Sequence, residues 1–230
     1  MGGVWFGNNT TDQPTLWQQA FPREITTSLV TYKKPHGTIS NSDLEPASHV
    51  AHNNMLASLE NIDSVTMASY TDNTLALYWM KKGSTSTSIP SAYLLRLQAL
   101  HQRHYCYHSK ISQIAGTANV MADDCSRLWH LTDKQLLTHF NLNYPQNLLW
   151  KQCTLQPEMT FALLSTLQRK QQPPESFLLQ LQKQKHGGSS GWQNALSRKY
   201  TNPRLQFYSH CRLPCSICPQ STDRKNHPEW

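Results

Sequence analysis

The stretch Tyr70-Thr71-Asp72-Asn73 stands between two segments with different hydrophobic periods. Before it, apolar and polar residues alternate over residues 64–70, which predicts a β-strand. After it, residues 74–82 have a helical pattern that ends at Gly83, a residue typical of helix C-termini. A carboxylate at this junction can bind a cation, or it can cap the helix by accepting backbone N–H groups. The stretch alone leaves both roles open for Asp72.

Charge is distributed unevenly along the chain. The segment from Asn73 to Ala122 contains five Lys or Arg residues and no Asp or Glu. Residues 1–130 contain nine basic and nine acidic residues, whereas residues 131–230 contain twelve and five, so the net charge of +7 belongs to the second part. A basic segment beside a neutral one predicts an anionic partner. Nucleic acid is favoured over a membrane surface because no amphipathic basic helix accompanies the charge.

Length and composition limit the class of protein. The 230 residues suffice for one domain with an appendage, or for two small domains, and a hydrophobic content of 38% is low for a fully compact chain. No apolar run approaches the roughly 18 residues of a transmembrane helix, and the N-terminus has no signal-peptide pattern. We therefore expect an intracellular protein, in the cytoplasm or the nucleus. In such a compartment Cys106, Cys125 and Cys153 are expected to be small buried residues rather than disulfide partners.

The rest of the pattern alternates strands and helices. Ser42 and Glu45 have the spacing of a capping box, which predicts that a helix begins there. Residues 22–32 fit either a short helix or an irregular strand. Further elements are predicted as a strand at 2–6, a helix at 92–105, a strand at 110–114 and a helix at 119–128. This order predicts an α/β fold in which helices flank a mixed sheet.

Three carboxylates lie at strand ends or in first helical turns of this pattern, namely Glu45, Asp72 and Asp123. Such ends can converge at one edge of a sheet. For Glu45 the alternative is the capping role, which the segment around it favours when taken alone.

The sequence contains three motifs in a recognisable order: Ser42-Asp43-Leu44-Glu45, then Thr71-Asp72-Asn73, then Gly116 to Leu128 with the pattern G-x-x-N-x-x-A-D-x-x-S-R. Together they resemble the ribonuclease H domains of retroelement (retrotransposon) reverse-transcriptase polyproteins. The third motif is the most specific. The resemblance covers residues 1–130 and implies a ribonuclease H-like mixed sheet flanked by helices.

The resemblance also implies an activity, hydrolysis of the RNA strand of an RNA–DNA hybrid with two Mg²⁺ or Mn²⁺ ions. Carried over by position, Glu45, Asp72 and Asp123 are the expected catalytic residues and metal ligands, and carboxylate oxygen suits these hard cations. Lys81, Lys82 and Arg103 are candidates for phosphate contacts, which position a nucleic acid without reading its sequence. The other expected partner is an upstream reverse transcriptase domain.

One departure from the family limits this expectation. Family members have a further catalytic Asp on a first strand, before the Gly-Gly pair that is Gly2-Gly3 here. We therefore expect a fold with the first strand missing, an N-terminally truncated domain, and little or no nuclease activity. The alternative is a non-catalytic nucleic-acid-binding or connector module, for which salt-sensitive binding without cleavage is expected.

The C-terminal part has weaker patterns. Residues 131–186 are predicted to be a helical connector, and residues 187–230 a flexible basic tail, so that this part is mostly helical or disordered. Cys211, Cys215 and Cys218 could bind zinc, but their spacing matches neither a zinc finger nor a retroviral knuckle, and a site is not favoured.

Overall fold

The computed structural model describes residues 1–7, 12–169 and 206–207, and the fold is mixed α/β with about 50% helix. The strands are β1 Gly2–Trp5, β2 Thr15–Gln18, β3 Thr66–Thr71, β4 His108–Gln113, β5 Lys151–Cys153 and β6 Gln206–Phe207. The helices are α1 Arg23–Thr26, α2 Asn41–Leu59, α3 Thr74–Lys82, α4 Ile89–Tyr105, α5 Val120–Arg127, α6 Asp133–Asn143 and α7 Pro157–Leu167, with a 3-10 turn at Gly116–Ala118.

The strands form two small sheets instead of the single sheet that the pattern predicted. The first has the order β1-β2-β5, with β1 antiparallel and β5 parallel to β2. The second has the order β4-β3-β6, with both neighbours parallel to β3. The predicted mixed character therefore holds for the first sheet, whereas a specifically ribonuclease H-like sheet remains a proposal.

Sequence pattern and structure agree best around β3 and α3. β3 and β4 pair in parallel over six residues each, from Thr66 opposite His108 to Thr71 opposite Gln113. α3 ends as predicted, because Gly83 adopts a φ of 69° and donates its N–H to the Trp79 carbonyl. A residue with a Cβ pays a steric penalty at such a φ, which explains the glycine. α3 therefore ends at Lys82, and the Ser/Thr-rich residues 84–88 lead into α4.

The long helix α2 forms the centre of the core. Its buried residues Ala47, Val50, Ala51 and Met55 recur at helical spacing and pack in one cluster with residues of β3, α4 and α7. Polar residues are buried on the same helix, where Asn53 contacts His49 and Asn54 contacts His101. α2 thus lies against both sheets and fixes the position of the residues at its N-terminus.

Residues 131–167 pack against the residues that precede them. β5 pairs with β2, and α7 packs on α2 and α4. Phe140 and Trp150 are buried in a cluster with Leu16, and Tyr144 donates a hydrogen bond of 2.7 Å to the Asp124 carboxylate. The proposed division at residue 130 into a domain and a connector remains a prediction, but α6 and α7 are not separate from the core.

Several smaller expectations have definite outcomes. Residues 22–32 contain the short helix α1. Cys106, Cys125 and Cys153 are free thiols, but only Cys125 is buried. Within the described residues, no helix has the length and apolar character needed to cross a membrane. Apart from Gln206 and Phe207, the predicted tail lies outside the described residues, and so does the Cys211, Cys215 and Cys218 cluster.

Candidate active site

A cavity of about 760 Å³ lies where β1, α2, β3 and α5 meet. Glu45, Asp72 and Asp123 all line this cavity, each from a different part of the sequence. α2 contributes Glu45, the residue after β3 contributes Asp72, and α5 contributes Asp123. The three carboxylates predicted from the sequence therefore face one space.

The alternative role of Glu45, as the capping residue of α2, is wrong. α2 begins two residues earlier than the motif suggested, with Ser40 as its N-cap, and Asp43 is the acidic partner in the capping box. The Asp43 carboxylate accepts hydrogen bonds of 2.7 and 2.8 Å from the backbone N–H and hydroxyl of Ser40. It also accepts hydrogen bonds from the hydroxyls of Ser88 and Ser91, which joins α2 to the start of α4. Glu45 is thereby left free to face the cavity.

Glu45 is half-buried and has one neutral hydrogen-bond donor beside it. The Thr71 hydroxyl donates to Glu45 Oε2 over 3.1 Å. Burial raises the pKa of the Glu45 carboxyl above its usual value, and the nearby Asp72 carboxylate raises it further, while the Thr71 hydrogen bond and the Met1 ammonium lower it. A cation bound beside Glu45 would oppose this increase, because it stabilises the ionised form of the carboxyl group.

Asp72 is not the cap of α3. That role belongs to Asn73, whose Oδ1 accepts from the Ala76 N–H over 3.0 Å and from the Ser42 hydroxyl over 3.2 Å. Asp72 is exposed and lies beside Gly116, at the turn that leads into α5. The helix start is therefore satisfied without Asp72, which removes the structural reason for a carboxylate at this position.

Asp123 differs from the other two carboxylates because it has a cationic partner. Arg127 Nε lies 2.6 Å from Asp123 Oδ1, one helical turn further along α5. The two side chains are 75% and 46% exposed, so the ion pair is at the rim of the cavity and not in its interior. An exposed pair at this spacing is weak and easily exchanged for another partner.

The side chains of the site are chemically suited to a divalent cation, but their positions suit one only in part. Carboxylate oxygens are the ligands that Mg²⁺ and Mn²⁺ prefer. Within the described part of the chain, however, no three His, Cys, Asp or Glu side chains are close enough together to hold one ion. Glu45 and Asp72 influence each other electrostatically, while Asp123 is bound to Arg127. The pair Glu45 and Asp72 is thus the part of the site best suited to a metal.

The floor of the cavity is neutral. His49 and His52 of α2 line it, and burial lowers their pKa values to about 3 and about 4. For His52 the hydrogen bonding agrees, since the Trp17 indole N–H donates to His52 Nδ1 over 3.0 Å and that nitrogen must therefore be unprotonated. These histidines do not offset the negative charge of the carboxylates at neutral pH.

The cations predicted from the sequence lie elsewhere. Lys81 and Lys82 are exposed on the last turn of α3, where the Lys82 ammonium lies 5.8 Å from the centre of the Tyr78 ring. Arg103 is exposed near the end of α4. None of the three is among the described residues that line the cavity. The structure thus gives no link between these cations and the carboxylates.

Arg127 is the residue that sequence reasoning overlooked. It lines the cavity, and so does Trp129, which is 42% exposed and donates its backbone N–H to the Arg127 carbonyl over 2.8 Å. Arg127 is the last residue of the motif G-x-x-N-x-x-A-D-x-x-S-R, four residues after Asp123, and the spacing could have indicated an ion pair.

Comparison with known proteins does not assign this chain to a family. No protein-family model matches the sequence, and no curated protein or solved structure is significantly similar to it.

Proposed function

We propose that this chain is a ribonuclease H-like domain of a retrotransposon polyprotein that acts on RNA–DNA hybrids. The observation that supports this best is that Glu45, Asp72 and Asp123 line a single cavity. Two of the three have no part in capping a helix, since Asp43 and Asn73 do so in their place. A motif order seen in a family of two-metal hydrolases therefore coincides here with a shared cavity.

In this proposal, Glu45 and Asp72 hold a divalent cation, which neutralises charge on the scissile phosphate when bound. Thr71 keeps the Glu45 carboxylate in place through its hydroxyl. The neutral floor of His49 and His52 adds no positive charge beside these carboxylates. Choice of RNA over DNA would depend on contacts to the 2′-hydroxyl.

A second role, nucleic-acid binding without cleavage, is favoured by the cationic partner that one of these carboxylates already has. Asp123 is paired with Arg127, whose Nε lies 2.6 Å from its Oδ1. A carboxylate with an internal cationic partner binds a metal ion less readily. We expect hydrolysis by this polypeptide to be slow compared with its binding of hybrids.

Cleavage of a labelled RNA–DNA hybrid in Mg²⁺ or Mn²⁺ tests the proposal. The catalytic role predicts turnover that is lost in Asp72→Asn and retained in Asp63→Asn, an exposed carboxylate away from the cavity. Binding that weakens steeply with salt, without turnover, supports the second role. Absence of both binding and cleavage would contradict the two roles together.

A further inference from the structure

The rim of the cavity carries a cation and an aromatic ring side by side. Arg127 ends α5, and the backbone hydrogen bond from Trp129 N–H to the Arg127 carbonyl closes a tight turn there. Both residues line the cavity, and both are substantially exposed. Among the described residues that line it, Arg127 is the one Lys or Arg.

We propose that Arg127 and Trp129 form a clamp for a nucleic-acid strand, in which Arg127 binds a backbone phosphate and Trp129 stacks on an adjacent unpaired base. This rests on the proposed function, because it assumes that the cavity receives nucleic acid. A guanidinium presents a fork of donors that matches a phosphate, and an indole stacks on any base. A duplex end or junction offers both groups together.

Arg127 also couples this contact to the carboxylates. Its ion pair with Asp123 uses Nε, and the pair is exposed enough to exchange partners. A phosphate that takes Arg127 away from Asp123 leaves that carboxylate without its cation, on the wall of the same cavity as Glu45 and Asp72. Arg127 is thus a positioning residue, because Asp123 loses its ion-pair partner when a strand binds Arg127.

The test measures binding of a fluorescent 12-base-pair RNA–DNA hybrid, blunt or with a three-nucleotide overhang, to the full chain in the presence of EDTA. Arg127→Gln is expected to weaken binding on the order of tenfold and to lower the salt slope by about 0.9. Lys134→Gln removes an exposed cation of α6 that is not among the described cavity-lining residues, and is expected to change affinity less than twofold.

Coupling is measured with Asp123→Asn, which removes the partner of Arg127. Asp123→Asn should increase the affinity for the hybrid. The increase in affinity should be at least twofold larger when Arg127 is present than in the R127Q background. Equal gains in the two backgrounds would show that the ion pair does not control the phosphate contact.

Stacking is measured as the preference for the overhang over the blunt hybrid. Trp129→Leu should remove this preference, and Trp129→Phe should largely keep it because an aromatic face remains. Circular dichroism and thermal melting of each variant exclude unfolding as the cause. A wild-type chain that binds no hybrid would contradict the proposed function and the clamp together. Normal binding that is unchanged by Arg127→Gln and Trp129→Leu would contradict the clamp alone.

Discussion

The two histidines of α2 should make this protein sensitive to mild acid. His49 is buried, and its Nε2 lies 3.1 Å from the Asn53 amide nitrogen and 3.0 Å from the Ser109 hydroxyl. Burial lowers its pKa to about 3 from an ordinary value near 6.5. At pH 5 the unfolded chain therefore binds a proton at this residue that the folded chain does not.

The direction in which stability changes with pH follows from this difference in proton binding. Because the folded pKa is depressed, the stabilisation is complete above about pH 6.5 and is lost progressively as the pH falls towards the folded value. For His49 the loss is about 0.8 kcal/mol at pH 6 and about 2 kcal/mol at pH 5. His52 has the same sign, with a folded pKa of about 4, but it is only partly buried and its contribution should be smaller.

Urea unfolding at pH 7, 6 and 5 measures the effect. His49→Gln cannot titrate, so its stability should fall by about 2 kcal/mol less between pH 7 and pH 5 than that of the wild type. The Met1 ammonium and Glu45 also contribute to the pH dependence, but they are present in both proteins and cancel in the comparison. His108→Gln, at an exposed position, controls for the loss of an imidazole. Parallel pH profiles of wild type and His49→Gln would refute the reasoning.

Three further predictions concern the helix caps and the extent of the core. Asp43→Ala should lower the free energy of unfolding by about 2–4 kcal/mol, because it removes the α2 cap and leaves the buried Ser91 hydroxyl without its partner. Glu45→Gln should change it by less than about 1 kcal/mol. If thermal melting ranks the two variants in the reverse order, Glu45 is the capping residue. Trp150→Ala should lower the free energy of unfolding by about 3–5 kcal/mol, because Trp150 is 3% exposed and packs against Phe6 and Phe140. A chain of residues 1–130 should expose Leu16 and should not unfold cooperatively in urea. A cooperative unfolding transition of that fragment would support the predicted boundary at residue 130.

Local signals located β3, α3, α4 and α5 because each has a clear period and a definite end. Gly83 illustrates this, since the need for a positive φ can be read from one residue. β2 and β5 were not predicted. They have four and three residues, too few to show a period, and they exist because β2 pairs with both β1 and β5. Short strands of this kind depend on tertiary contacts that the sequence does not display locally.

The errors at the caps have a different cause. Ser40 and Asp43 have the same spacing as Ser42 and Glu45, so two possible capping boxes overlap, and only Ser42-Glu45 has the Glu or Gln of the usual pattern. The structure selects the first, because Asp43 in that position also accepts from the Ser91 hydroxyl of α4. A contact between residues 48 positions apart decides which carboxylate is structural.

The same competition determines what each carboxylate can do in the cavity. Asp43 and Asn73 satisfy the N-termini of α2 and α3, so Glu45 and Asp72 lie next to helix caps without being part of them. Asp123 differs from them, because its carboxylate is already paired with the Arg127 guanidinium. A ligand that needs all three carboxylates must therefore first displace a guanidinium, and a phosphate is a chemical group suited to that exchange. For this reason Arg127, and not the exposed Lys81 or Lys82, is where binding of a strand and the chemistry of the cavity should be linked.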